Sequence, residues 1–283
     1  MPEFTTPKQL VDWYDNQERI LTPDFLDTIS WGEVSQTEVD PALVPVLLYF
    51  RDVEKLTEIY YKELRKTPTG RDPEVRQFMD KWQHEEDLHG ELLNRFLEEA
   101  GFPSGDAWFE KMKHTIPRSY RYSSALGSLT ANLFGKRFSA VHMTWGAINE
   151  MMTLTGYRQL WKRANHPVLT YILKAIVREE SVHAFFYATF AKLQLQRSRY
   201  TQHIATYILK HFWSPVGQGA KPVKETAYVM DMLFDGAEGV SVMDTFVNKR
   251  LELFPGFEKE TFVTDTISRM VRSTRTQQVA TGG

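Results

Sequence analysis

The chain has 283 residues, 42% of them hydrophobic and 25% charged, with a net charge near −2 and no cysteine. That balance describes a soluble globular protein large enough to bury a substantial core. It excludes disulfides, thiolate metal sites and a cysteine nucleophile, and gives no overall electrostatic case for nucleic acid or an anionic membrane surface. No apolar run is long enough to span a bilayer, and the start Met-Pro-Glu-Phe-Thr-Thr-Pro is not a signal peptide. A cytoplasmic protein without membrane insertion is the expectation.

Taken in order, the chain opens with one or two short helices, since Thr6-Pro7 and Thr22-Pro23 each set a capping hydroxyl before a proline suited to a first helical turn. Pro41 and Pro45 hold off a first long helix over about 46–66, which ends before Thr67-Pro68-Thr69-Gly70. Asp72-Pro73 starts the second, 73–100, which stops at Gly101-Phe102-Pro103. Residues 101–122 read as irregular, with a short helix around Asp106–His114. A third long helix is predicted over 124–164, with Gly127, Gly135 and Gly146 as kinks or points of close packing. Asn165-His166-Pro167 breaks the chain before a fourth, 167–197. Shorter helices follow over about 199–213, 223–235, 240–253 and 258–272, and residues 277–283 read as a disordered tail. Strand alternation is absent. The expectation is one all-α domain over residues 1–276, a ferritin-like four-helix bundle with additional N- and C-terminal helices.

Two strings stand out, Glu86-Asp87-Leu88-His89 and Glu180-Ser181-Val182-His183. A Glu-x-x-His puts a carboxylate and an imidazole on one face of a helix, though a single such string is close to chance. Phase gives the pair its meaning. The apolar stripe of the second helix falls at Val75, Met79, Trp82, Glu86, His89, Leu93 and Phe96, and that of the fourth at Leu169, Leu173, Ile176, Glu180, His183, Tyr187 and Phe190. Both strings therefore occupy core positions. The first helix carries Glu54 in its stripe (Leu47, Phe50, Glu54, Thr57, Tyr61, Leu64), and the third carries Glu150 (Ala140, Met143, Ala147, Glu150, Thr153, Tyr157, Leu160). Glu58, one turn beyond Glu54, is its competitor. Glu85 and Glu179 precede the two motif glutamates and belong either behind them or on the surface.

Four core carboxylates without compensation are not tolerable. With two neutral imidazoles they sum to four negative charges, which two divalent ions neutralise. One Glu from each of two helices and a Glu-x-x-His from each of two others is the donor pattern of di-iron carboxylate bundles. Hard oxygen donors mixed with imidazole suit iron, with manganese as the alternative. The predicted metal ligands are Glu54, Glu86, His89, Glu150, Glu180 and His183.

The stretch Trp82-Gln83-His84-Glu85-Glu86-Asp87-Leu88-His89-Gly90-Glu91-Leu92-Leu93-Asn94 resembles the W-x-x-E-E-x-x-H-G-D-L-L-N helix of the soluble acyl-acyl-carrier-protein desaturases. Val46-Leu47-Leu48 followed by Glu54 and Tyr60 is similar to that family's first ligand helix, Glu150-x-x-Thr153 to its third, and Ile176–His183 to its fourth. Phe212-Trp213-Ser214-Pro215 falls where the family ends its next helix. The likeness covers roughly residues 40–215. It implies a pair of iron(II) ions that take electrons from a ferredoxin-type donor, activate O₂ and oxidise a long acyl chain held on acyl carrier protein. His89 and His183 would go one to each iron, with the bridging carboxylates left open, and Thr153 would be the proton donor to bound oxygen. A homodimer is implied as well.

The chain departs from the family at Leu88 and Val182, where arginines precede each ligand histidine, and at Tyr157, where the family has a histidine. These changes leave hydroxylation or another oxidation open beside desaturation, and a non-catalytic ferritin-like metal protein as a further alternative. Ribonucleotide-reductase character is disfavoured by Leu93, where a radical tyrosine would stand one turn past His89. An arylamine N-oxygenase would want an extra histidine where Gly146 and Tyr187 stand. An acidic carrier protein should meet basic residues, for which Lys136-Arg137, Lys210, Lys221 and Lys224 are candidates.

Overall fold

The computed structural model describes residues 3–105, 107–117, 120 and 131–281. Among these the architecture is all-helical, with no strand. The N-terminal segment forms α1 (Pro7–Asp15) and α2 (Pro23–Asp27), followed by a 3₁₀ turn at Trp31–Gln36. Thr6 and Gln9 close a reciprocal capping box on α1, and Thr22 caps α2 by accepting from the Phe25 amide.

Four long helices follow, α3 (Val44–Leu64), α4 (Pro73–Glu99), α6 (Ser139–Arg163) and α7 (Pro167–Leu195), with the short α5 (Trp108–Thr115) between the second and third. The 27 residues of α4 span about 40 Å. Asp72 accepts from the Val75 amide at the start of α4, and the His166 ring accepts from Leu169 at the start of α7. Proline follows the cap in both.

The third long helix differs from expectation. Residues 131–134 are helical, then Gly135 adopts φ +61°, a conformation costly for any residue with a Cβ, and a 3₁₀ turn over Gly135–Phe138 interrupts the helix before α6 resumes it at Ser139. The expected first turns over 124–130 lie outside the described residues.

Beyond α7 come α8 (Arg199–Phe212), α9 (Val223–Phe234) and α10 (Gly236–Met243), then a π turn Asp244–Asn248 and the single turn α11 (Lys249–Leu251). The final helix, α12, runs Phe262–Thr281, past its expected end and through most of the segment expected to be a disordered tail.

Helix α3 packs along α4, α6 packs along α7, and α4 also meets α7. Helix α1 lies across α4 and α7, while α9 covers α3 and α6. The stripes of α4 and α7 are buried throughout, from Val75 to Phe96 and from Leu169 to Phe190, and the two Glu-x-x-His motifs are buried with them. None of the described helices is long and apolar enough to cross a membrane.

Candidate metal centre

Each long helix contributes its in-stripe acid to one buried point. Glu54 of α3, Glu86 and His89 of α4, and Glu180 of α7 offer ligand atoms that all lie within 4.8 Å of one another. Glu86, Glu150 of α6, and Glu180 and His183 of α7 form a second such group. All six side chains are buried, and Glu180 and His89 have no exposed surface at all. Glu86 and Glu180 belong to both groups. Glu54 and Glu150 belong to one group each. Glu58 turns outward to pair with Lys62.

The carboxylates before each motif cross over. Glu85 of α4 accepts from His183 Nε2 of α7 at 2.7 Å, and Glu179 of α7 accepts from His89 Nε2 of α4 at 3.2 Å. A carboxylate acceptor requires each Nε2 to carry the proton, so each Nδ1 turns to the centre. His89 Nδ1 lies 3.1 Å from Glu180 Oε1, and His183 Nδ1 lies 2.9 Å from Glu86 Oε1. Neither contact has hydrogen-bond geometry. Both Nδ1 atoms, Glu86 Oε1 and both oxygens of Glu180 are buried polar atoms without a hydrogen-bond partner. Such atoms are costly to leave so, and here they converge on the two ligand groups. The donor set of oxygen and imidazole nitrogen, with open valence pointing inward, fits divalent metal ions.

Further groups hold the ligands from behind. Tyr157 of α6 donates to Glu54 Oε1 at 2.5 Å, and Trp82 of α4 donates its indole N–H to Glu150 Oε1 at 3.1 Å. Glu85 also receives Tyr14 O–H and the Arg19 guanidinium from the N-terminal segment. Glu179 receives the backbone amides of Ile20 and Leu21 at 3.1 and 3.0 Å. Nothing in the sequence pattern marks residues 14–21 as a buttress of the site. Trp82, one turn before Glu86 on the same stripe, stands in the sequence as a core residue and the start of the desaturase-like stretch, with no sign of its bond to Glu150.

Electrostatics follows the burial. Loss of solvent raises the Glu54, Glu86 and Glu150 carboxyls, and the charge of Glu180 raises each further. Burial opposes protonation of His89, yet the bonded Glu179 and neighbouring Glu180 hold it well above its ordinary value. Glu85 behaves oppositely: burial would raise it, but the bond from His183, with Tyr14 and Arg19, holds it down at about 2.

Thr153, one turn along α6 from Glu150, is half-buried and belongs to neither ligand group. It lines a small apolar cavity of about 30 Å³ together with Phe50, Val53, Met152, Gly156 and Met230. Of the basic candidates, Lys210 pairs with Glu260 at 3.0 Å, and Lys221 with Asp52 at 2.6 Å and Glu225 at 2.9 Å. Lys224 and Lys221 share a surface basin of about 440 Å³ with Arg51, Asp52, Glu225 and Tyr228. Arg137 is exposed, its guanidinium over the Tyr200 ring, and the Lys136 side chain lies outside the described residues.

No protein-family model matches the chain, and no curated protein matches it. What the chain offers is its own geometry: a buried cluster of four carboxylates and two imidazoles that could hold metal ions.

Proposed function

We propose that this chain is a ferritin-like di-iron oxidoreductase, a divergent relative of the soluble acyl-acyl-carrier-protein desaturases, that uses O₂ and electrons from a ferredoxin-type donor to oxidise a carrier-bound acyl chain. The observation that carries the proposal is the pair of buried donor groups sharing Glu86 and Glu180, with their unpartnered polar atoms turned inward. Glu54 and His89 would complete one iron position and Glu150 and His183 the other. Two iron(II) ions bound there would supply the reduction of O₂ that such oxidation requires.

The chain's own residues do the rest. The crossed pairs His183–Glu85 and His89–Glu179 fix each imidazole with its Nδ1 inward and raise its basicity as a ligand. The aromatic wall of Phe78, Trp82, Phe186 and Tyr187 keeps water from that end of the site. Thr153 Oγ1 is the proton donor of this proposal, placed at the wall of the apolar cavity. That cavity has room for one or two molecules the size of water. Admission of an acyl chain would require Met152 and Met230, both adaptable side chains lining it, to swing aside. The basin with Lys221 and Lys224 is the proposed meeting point for an acidic carrier protein, acting in a homodimer.

Hydroxylation is the second reading, favoured by Leu88, Val182 and Tyr157, where the family carries arginines and a histidine. Protein reconstituted with iron under anaerobic conditions should contain about two irons per chain, consistent with the two donor groups. Incubation with acyl carrier protein loaded with acyl chains, reductant and O₂, read by mass spectrometry, separates loss of two hydrogens from gain of one oxygen. An intact fold that binds no iron would refute the proposal, and two irons with neither mass change would leave a non-catalytic metal protein.

A further inference from the structure

One buried phenol touches the donor set directly. Tyr157 has no exposed surface, and its hydroxyl donates to Glu54 Oε1 at 2.5 Å. Glu54 belongs to the donor group with Glu86, His89 and Glu180. The neighbouring phenols are placed differently. Tyr187 donates to the Met79 sulfur at 3.1 Å, a thioether that cannot take up a proton. Tyr14 donates to Glu85, which belongs to neither donor group and is already engaged by Arg19 and His183.

We infer that Tyr157 is a redox-active residue that gives up one electron and one proton to the metal centre and stores the oxidising equivalent as a neutral phenoxyl radical. The inference rests on the proposed metal reading. In the step, the Tyr157 O–H bond breaks and its proton passes along the existing hydrogen bond to Glu54 Oε1. The electron would be taken up by an ion held by Glu54, Glu86, His89 and Glu180, once O₂ had oxidised that ion by one electron. The sums balance. Glu54 loses one negative charge, the ion loses one positive charge, and tyrosine is neutral before and after. No uncompensated charge is created in a site where charge is costly. An oxidation that had to expel its proton into apolar surroundings would lack that compensation, and this is the physical reason to single out the phenol bonded to a ligand carboxylate.

The surroundings suit a radical that must persist. The Phe50 ring lies edge-on to Tyr157 at 4.5 Å between centroids, and full burial keeps solvent reductants away. Phe50 and Gly156, the residue before Tyr157, both line the small apolar cavity. The phenol is therefore one residue removed from the space where a substrate would be met.

The test is electron paramagnetic resonance on the full chain, loaded with iron(II), counted for metal, exposed to O₂ and frozen. The expected result is an organic-radical signal in the wild type, kept in Tyr61→Phe, whose hydroxyl donates to Asp80 outside both donor groups, and lost in Tyr157→Phe, both variants holding the same iron as the wild type. Should Tyr157→Phe fail to fold, site-specific incorporation of a ring-fluorinated tyrosine at position 157 keeps the hydroxyl and should change the hyperfine pattern of the signal. Two irons without any organic radical, a signal that survives Tyr157→Phe, or a hyperfine pattern untouched by the fluorinated residue would each overturn the inference. Absence of iron would instead refute the metal reading.

Discussion

The two donor groups are alike in their inner half and unlike in their outer half. On the inside, each takes one motif histidine and shares Glu86 and Glu180, and each histidine is held from behind by a carboxylate from the opposite motif. On the outside, the Glu54 position is backed by the Tyr157 phenol and the Glu150 position by the Trp82 indole. Both donors occupy one carboxylate oxygen and leave the other for an ion. The phenol, the stronger acid of the two, hands its proton along that bond more readily as it loses an electron. A near-repeat of sequence, Glu-Glu-x-x-His twice, builds the common part, and residues outside the repeat make the positions chemically distinct.

The largest effect should come from the shared acids. Glu86→Ala or Glu180→Ala removes a donor from both positions and should reduce metal content to near zero. Glu54→Ala or Glu150→Ala should leave one ion per chain, read by plasma mass spectrometry on protein whose helicity is unchanged. If the shared and unshared acids gave the same metal count, the assignment of sharing would be wrong.

Next in size is a pH dependence peculiar to the metal-free protein. Carboxyls raised above their unfolded value, as burial raises Glu54, Glu86 and Glu150, contribute stability that is lost as pH rises above about 4.3. His89, also raised, adds stability below about pH 6.5 that is lost as pH climbs through its folded value. Glu85, held at about 2, works the other way, but its contribution is complete by about pH 5. Metal-free protein should therefore melt at progressively lower temperature between about pH 5 and 8, while metal-loaded protein, with those groups deprotonated on the ions, should not. Calorimetric scans with and without metal check this, and parallel slopes would contradict it.

How much of this was legible beforehand follows from what periodicity can carry. The steps of four and three that put Glu86, His89, Glu180 and His183 into apolar stripes are a property of one helix at a time, and every residue of those two stripes is buried. The same phase chose Glu54 over Glu58. Crossing of Glu85 and Glu179 to the opposite histidines depends on how α4 and α7 meet, which no single helix encodes. The support from Tyr14, Arg19, Ile20 and Leu21 depends on where α1 lies, a contact 66 to 159 residues distant in sequence. Lys210 and Lys221 looked like free surface charge because their partners Glu260 and Asp52 are likewise remote. Gly135 was visible as a kink, but its positive φ and the 3₁₀ turn that parts helical residues 131–134 from α6 were not.

The crossing itself can be tested by a smaller perturbation. Glu85→Gln lies in the motif helix of His89 but should weaken the position of His183, and Glu179→Gln should weaken that of His89. Loss of the carboxylate behind a ligand histidine typically costs about 10–100-fold in metal affinity. Combining each variant with the loss of one outer acid isolates the positions. Glu85→Gln with Glu150→Ala should bind its remaining ion as tightly as Glu150→Ala alone, whereas Glu85→Gln with Glu54→Ala should bind it more weakly than Glu54→Ala alone. Equal losses in both backgrounds would mean that the carboxylates act through the net charge of the site rather than through one imidazole each.

The smallest effect, and the one that addresses the outer half, is expected from Trp82→Phe. The aromatic ring is kept against Phe78, Tyr60 and Tyr187, so packing is largely retained, and the indole N–H to Glu150 is lost. One such hydrogen bond is worth ~1 kcal/mol, roughly fivefold in affinity. The loss should fall on the Glu150 position alone, because Glu54 keeps its bond from Tyr157 across the site. Titration of the variant in the Glu54→Ala and Glu150→Ala backgrounds reads the two positions separately. A uniform loss would show that Trp82 acts as core volume for the whole centre, and the contrast between phenol and indole would then reduce to the phenol's redox chemistry.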